Sequence, residues 1–257
     1  MIKNELYIPK VFSRLVDFAV TVIIWVYFTL GFILFFSPFY LYSYLFSKNR
    51  KLSFQALNHK FYQGFFLLFR IFAPYHKWDI NENVRNIKSS VIVCNHLSYL
   101  DPLIMISLYK QHTTIVKARF FNYLIFGKMI TVSGYIPSST MGGLGNIMIQ
   151  RIEKIPQFLQ NGGNLFIFPE GTRSKTGKIG EFNKGAFKIA KLAKAPIKVI
   201  SIQNTDKLFK PGKFFFQTML ANKIQIKLEN SIEPDYSDSN FSLNGLINTV
   251  YEILEKK

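Results

Sequence analysis

Ser90-Val91-Ile92-Val93-Cys94-Asn95-His96-Leu97-Ser98-Tyr99-Leu100-Asp101-Pro102 is the stretch that decides how this chain is read. The apolar run from Val91 to Cys94, bounded by polar residues, predicts a buried strand. Asp101-Pro102 then opens a helix, with Asp suited to the N-cap and Pro to the first turn. His96 is thus expected at a strand end ahead of a helix, where α/β sheets gather their ligand sites. An imidazole accepts a proton at neutral pH only if it is held neutral and correctly oriented. A carboxylate bonded to one ring nitrogen does both. Asp101, five residues on, is not a neighbour of His96 on one straight helix, so a turn has to bring the two together. Each has a plainer reading alone: a helix cap for Asp101, a hydrogen-bonded core histidine for His96. Ser98 has a nucleophilic hydroxyl but lies in no Gly-x-Ser-x-Gly elbow.

Outward from this stretch, short strands alternate with helices. Further strands are predicted at 113–117, 164–168, 197–202, 214–219 and 224–228, and helices at 101–109, 145–160 and 183–194. Leu243, Leu246, Ile247, Val250, Tyr251 and Leu254 mark a closing amphipathic helix. The pattern predicts an α/β domain over 81–257, with a layered, mostly parallel sheet flanked by helices. Gly142-Gly143-Leu144-Gly145 follows no convincing strand, so it reads as a loop and helix start, not a dinucleotide fingerprint.

Residues 1–80 read as an N-terminal, membrane-anchoring helical segment. No charged side chain occurs between Phe18 and Ser47, and about 20 apolar residues suffice to cross a bilayer core. Lys3, Lys10 and Arg14 precede the run and Lys48, Arg50 and Lys51 follow it, so flanking charge sets no orientation. Pro38 is a place where the helix can break and the chain return. The options are one transmembrane span, a re-entrant hairpin or an interfacial helix pair. Phe54, Leu57, Phe61, Phe65, Leu68 and Phe72 predict a second helix with one apolar face. His59 and His76 near it read as surface or hydrogen-bonded residues.

Of the 257 residues 49% are hydrophobic, yet the net charge is +17. Apolarity with positive charge favours an anionic membrane surface as partner. Nucleic acid is disfavoured, because the cations are mostly lysine and no zinc spacing or aromatic ribonucleoprotein motif occurs. The single cysteine, Cys94, excludes an intrachain disulfide and a thiolate metal cluster, and no metal site is expected.

A second motif, Phe168-Pro169-Glu170-Gly171-Thr172-Arg173-Ser174, follows the strand at 164–168. Backbone amides of such a turn and an arginine fork suit phosphate oxygens. Glu170 is placed to bond a substrate hydroxyl or to brace Arg173. The plainer reading is a surface turn with a local ion pair.

Together, Asn95-His96-Leu97-Ser98-Tyr99-Leu100-Asp101 and Phe168 to Ser174 resemble the first and third motifs of the glycerolipid acyltransferases, the lysophosphatidic acid acyltransferase group. Phe182-Asn183-Lys184-Gly185-Ala186-Phe187 and Ala195-Pro196-Ile197 resemble further segments of that family. Lys117 falls where the family often has a lysine, ahead of Phe126-Gly127. The second motif departs: Gly134-Tyr135-Ile136-Pro137 is followed by Ser139 and Thr140 where the family usually has Asp and Arg. The fourth motif has Val199 in place of its second proline.

The resemblance implies acyl transfer from a thioester, acyl-CoA or acyl-carrier protein, to the sn-2 hydroxyl of 1-acyl-glycerol-3-phosphate, giving phosphatidic acid. His96 would be general base and Asp101 its orienting partner. Lys117, Glu170, Gly171, Thr172 and Arg173 would bind substrate, with Lys117 compensating for the arginine missing at Thr140. No cofactor or metal is implied beyond the thioester co-substrate. The expected location is the inner membrane, with the active site on the cytoplasmic side. Partners would be a membrane lysolipid, the anionic surface and an acidic acyl-carrier protein. Thirteen Lys or Arg and two acids lie between Arg173 and Lys227, a charge balance that suits either of the last two. The alternatives are another lysolipid acceptor, because of Thr140, or a basic membrane-binding protein without catalysis.

Overall fold

The computed structural model describes residues 10–138, 142–174 and 176–256. Helix α1 (Lys10–Val26) runs through a π-helical stretch (Tyr27–Phe36) into α2 (Ser37–Phe46). Pro38 therefore does not return the chain. It occupies the first turn of α2, where a missing amide is tolerated. The π turns ahead of it re-pair the carbonyls: the Ser37 amide reaches Phe32, and Ser37 Oγ donates to the Ile33 carbonyl at 2.5 Å.

The reversal comes after Phe46. Asn49 Oδ1 accepts from the Leu52 amide and caps α3 (Arg50–Phe72). Tyr40 meets Asn58, and Tyr27 meets Phe61 and Phe65, so α3 runs antiparallel to the first helix.

The sheet follows. In chain order the elements are β1 (His76–Ile80), α4 (Glu82–Arg85), β2 (Val91–Cys94), α5 (Leu100–Leu108), β3 (His112–Val116), a 3-10 turn (Ala118–Asn122), α6 (Leu124–Val132) and β4 (Ile136–Pro137). Then come α7 (Gly142–Glu153), α8 (Ile155–Gln160), β5 (Asn164–Ile167), α9 (Gly185–Ala193), β6 (Ile197–Gln203), α10 (Thr205–Leu208), β7 (Asn222–Ile232) and α11 (Leu243–Glu255). The strand order is β1-β7-β6-β2-β5-β3-β4, and only the β6–β7 pairing is antiparallel. β1 lies within the first 80 residues, yet it pairs with β7 as the sheet's edge.

Side chains alternate between two cores, as the period of two requires. Ile92, Cys94, Phe166 and Ile200 face α3 and α5. Val91, Val93, Leu165, Ile167 and Val199 face α8, α9 and α11. The central strands are covered on both faces, which is why they read as unbroken apolar runs.

This topology creates the crevice. From β2 the chain leaves by α5 on one face and reaches β3 beyond β5. From the neighbouring β5 it leaves by α9 on the other face and reaches β6 beyond β2. Loops departing to opposite faces open a gap at the carboxyl ends of β2 and β5, the usual ligand position in such sheets.

Two predicted elements differ. The helix at 145–160 is two helices, α7 and α8, parted at Lys154 ahead of Pro156. Residues 214–219 are a loop, not a strand: Phe216 enters the core while Phe214 and Phe215 turn outward. The glycine-rich segment at 142–145 does begin a helix, α7.

Candidate active site

The turn after β2 folds back on itself. Asp101 is fully buried in the first turn of α5, one residue past the helix start at Leu100, and it is not the N-cap. Its Oδ2 accepts from the amides of Leu97 (2.6 Å) and Ser98 (2.7 Å) and from His96 Nδ1 (2.9 Å). Oδ1 accepts from Thr205 Oγ1 at 2.6 Å. Four donors thus converge on one carboxylate, which offsets the cost of burying it. Because Nδ1 donates to the carboxylate, the acceptor lone pair of a neutral His96 ring sits on Nε2.

The ring is fixed from a second side. Phe168, at the end of β5, stacks on it with centroids 4.3 Å apart and planes 26° from parallel. The His96 amide donates to Glu170 Oε1 (2.9 Å), while Glu170 Oε2 accepts from the Gly180 amide (2.9 Å). Glu170 therefore braces the histidine backbone and the 170–180 loop, not Arg173. The Ser174 amide donates to the His96 carbonyl at 2.8 Å, which ties the two motifs together directly. Asn95 clips β2 to β6 through both amide atoms, at 2.8 and 2.7 Å from Ile202.

Arg173 lies over the Tyr99 ring, its Cζ 3.3 Å from the ring centroid. Its Nη1 is buried and, among the described residues, has no hydrogen-bond partner. A buried guanidinium nitrogen without an acceptor suits an anion entering the crevice. Gly171 adopts φ +65°, which opens the turn after Glu170. Thr172 is exposed and, with Arg173, Ile179 and Phe182, lines an open cleft of about 730 Å³. That cleft runs along the 170–183 loop and its lining does not include His96.

Lys117 is exposed just past β3, one strand beyond β5 at the same edge of the sheet. Ser139 and Thr140 lie outside the described residues. Ser98 is fully buried and donates to the Phe209 carbonyl, so its hydroxyl serves the turn. Cys94 is buried beneath the site, and burial raises its thiol pKa well above the ordinary value. Among the described residues no three metal-ligating side chains come together.

Sequence reasoning missed Thr205 and Phe168 as site partners. Thr205 lies 104 residues from Asp101, and no local pattern marks it. Phe168 belongs to the second motif but carries no proton or charge that would mark it; an aromatic residue ahead of Pro-Glu-Gly at a strand end is the available signal.

A paired imidazole and carboxylate at one strand end, with an arginine beyond the next, puts a proton acceptor and an anion-binding group along one edge of the sheet. The chain belongs to the acyltransferase family: residues 77–203 match the family model described as Acyltransferase. Its relatives include the chloroplastic 1-acyl-sn-glycerol-3-phosphate acyltransferase of Brassica napus, 33% identical over 143 residues, which are 54% of this chain and 41% of that protein. A probable 1-acyl-sn-glycerol-3-phosphate acyltransferase of Mycoplasma genitalium is 27% identical over 65% of this chain and 66% of its own. The chain thus spans about two fifths of the plant relative. The crystal structure of the 1-acyl-sn-glycerophosphate (LPA) acyltransferase PlsC from Thermotoga maritima shares the fold, with a TM-score of 0.71 over 95% of both chains at 21% identity.

Proposed function

We propose that this chain transfers a fatty acyl group from a thioester, acyl-CoA or acyl-carrier protein, to the sn-2 hydroxyl of 1-acyl-glycerol-3-phosphate. The observation that carries this reading is the His96–Asp101 pair at 2.9 Å, set one strand from a buried, unpartnered Arg173 Nη1. His96 Nε2 takes the hydroxyl proton as the oxygen attacks the thioester carbonyl. The C–S bond then breaks, and the imidazolium returns the proton to the leaving sulfur. Asp101 holds the tautomer and balances the transient charge. Arg173, with the Gly171–Thr172 turn, takes the acceptor phosphate, and Lys117 adds positive charge at the same edge. No covalent enzyme intermediate is required.

The reaction occurs at a membrane, because acceptor and product both carry acyl chains. Among the described residues one helix, Lys10–Phe46, is long and apolar enough to cross a bilayer. Its packing along α3 favours a different placement, flat on a membrane surface, with one face on the domain and the other in lipid; the surface proposed is the cytoplasmic side of the inner membrane.

The test is product analysis by mass spectrometry after purified protein is given lysophosphatidic acid, other lysolipids and both donors. Phosphatidic acid formation that falls by about 10²–10⁴-fold in His96→Ala supports the reading. Full activity in that variant removes the general base. Acylation of a different lysolipid alone would reassign the acceptor, and absence of any transfer would leave a membrane-binding protein.

A further inference from the structure

Two apolar loop tips flank the crevice. The first follows β3: Tyr123, Leu124 and Ile125 stand at the start of α6, and Leu124 is 92% exposed. Gly127 lets this helix sit tightly on the 3-10 turn, since an added Cβ would stand 2.3 Å from the Phe121 carbonyl oxygen. The second tip follows β6: Phe214 and Phe215 are 61% and 49% exposed. In the strand order β6-β2-β5-β3, these tips leave the carboxyl ends of the strands outside β2 and β5, which carry His96 and Arg173. Both tips and the crevice therefore share one edge of the sheet.

The second tip is built into the molecule. Asp17 Oδ1 accepts from the Thr218 amide and hydroxyl, both at 2.7 Å, and Thr21 Oγ1 accepts from the Phe216 amide. Phe214 stacks on Trp25 at 5.7 Å and Phe215 lies 6.2 Å from Phe18, which makes the tip continuous with the exposed apolar face of α1. The same loop reaches the catalytic turn, where the Phe209 carbonyl accepts from Ser98.

The charge around both tips is mostly positive, with Asp17 and Asp206 as acids beside the second. Residues 117–128 include Lys117, Arg119 and Lys128, residues 207–220 include Lys207, Lys210 and Lys213, and neither stretch contains an acid. All six cations are exposed. Apolar tips ringed by cations match a bilayer with anionic headgroups and an apolar interior.

We propose that the Tyr123–Ile125 and Phe214–Phe215 tips insert together into an anionic phospholipid bilayer, so that the crevice between them opens directly onto the lipid surface. The inference deepens the proposed acyl transfer, because a lysolipid would then reach His96 without leaving the interface. The helix anchors the chain, and the two tips set which edge of the domain faces lipid.

Fluorescence at single sites tests this. Native Cys94 is fully buried, so an introduced cysteine is the reactive one. Leu124→Cys, Phe215→Cys and, as control, Leu192→Cys are labelled with an environment-sensitive fluorophore. Leu192 is exposed near the end of α9, which has returned toward the amino edge of the sheet. Each protein is bound to vesicles of phosphatidylcholine with phosphatidylglycerol, and binding is verified by flotation. Blue-shifted emission and quenching by spin-labelled acyl chains at 124 and 215, but not at 192, are expected. Replacing Lys210 and Lys213 with Gln should weaken vesicle binding roughly fivefold per charge. Aqueous emission from either tip in the vesicle-bound protein overturns the inference, whatever the transferase activity. Lipid-inserted tips in a protein that transfers no acyl group would uphold it and sink the functional proposal instead.

Discussion

Thr205 Oγ1 lies 2.6 Å from Asp101 Oδ1, and this hydrogen bond joins the first turn of α5 to the turn after β6. It is the one contact to that oxygen from outside the 96–101 turn among the hydrogen bonds described, so it fixes the rotation of the carboxylate that fixes the histidine. Thr205→Val should lower kcat about tenfold and cost roughly 2 kcal/mol of stability, the usual range for a hydrogen bond to a buried charged group. Thr205→Ser should restore both. Steady-state kinetics and urea unfolding provide the check, and an unchanged kcat in the valine variant would remove Thr205 from the site.

Arg173 is held by the Tyr99 ring. Tyr99→Leu should raise KM for the phosphate-bearing acceptor by about 2–30-fold, matching a cation–π contact of roughly 0.5–2 kcal/mol, and leave KM for the thioester unaltered. Arg173→Lys should not rescue acceptor binding, because a point charge cannot reproduce the planar fork. Measuring KM for both substrates in each variant decides the matter; equal effects on donor and acceptor would move the anion site elsewhere.

His112 is buried, with Nδ1 donating to the Tyr109 carbonyl and Nε2 accepting from Tyr135. Burial pushes its pKa down to about 3. Below pH ~6.5 the unfolded chain's imidazole binds a proton that the folded one refuses. Its contribution is therefore complete above pH ~6.5 and is lost as pH falls toward 3, by at most ~1.4 kcal/mol per pH unit. His59 and His76, also shifted down by burial, act in the same direction. Thermal unfolding between pH 7 and pH 4 should show a falling Tm, with a shallower slope in His112→Asn.

Gly171 holds φ +65°, and an added Cβ would approach Asn183 Nδ2 to 3.1 Å. Gly171→Ala should cost about 1–2 kcal/mol through left-handed strain. It should also raise KM for the acceptor by displacing the turn that carries Arg173. A urea midpoint equal to the parent's would show that the turn relaxes freely.

The polar motifs were legible because the site is written in two short local segments. Each sits at the end of an apolar run that announces its own strand, so the two segments could be located from the pattern, while the roles expected of His96, Asp101 and Arg173 came from the family resemblance of the motifs. Pro38 misled because a π-helical stretch absorbs it, and hydrogen-bond pairing of that kind leaves no mark in apolar periodicity. Phe214-Phe215-Phe216 misled because three adjacent aromatic residues mimic a strand, whereas α1 draws two of them outward.

By itself the sequence determined the alternation of buried strands and helices, the residues able to move a proton or hold an anion, and the positive, apolar character of the whole. Periodicity and side-chain chemistry are local properties, and they survive in any reading of the chain. Only the tertiary structure decided that Thr205 completes the carboxylate, that Phe168 stacks on the imidazole, and that Glu170 braces backbone instead of the arginine. Those contacts arise where β2, β5 and β6 are brought side by side. Strand order is a global compromise among packing faces and crossover directions, and no single segment encodes it.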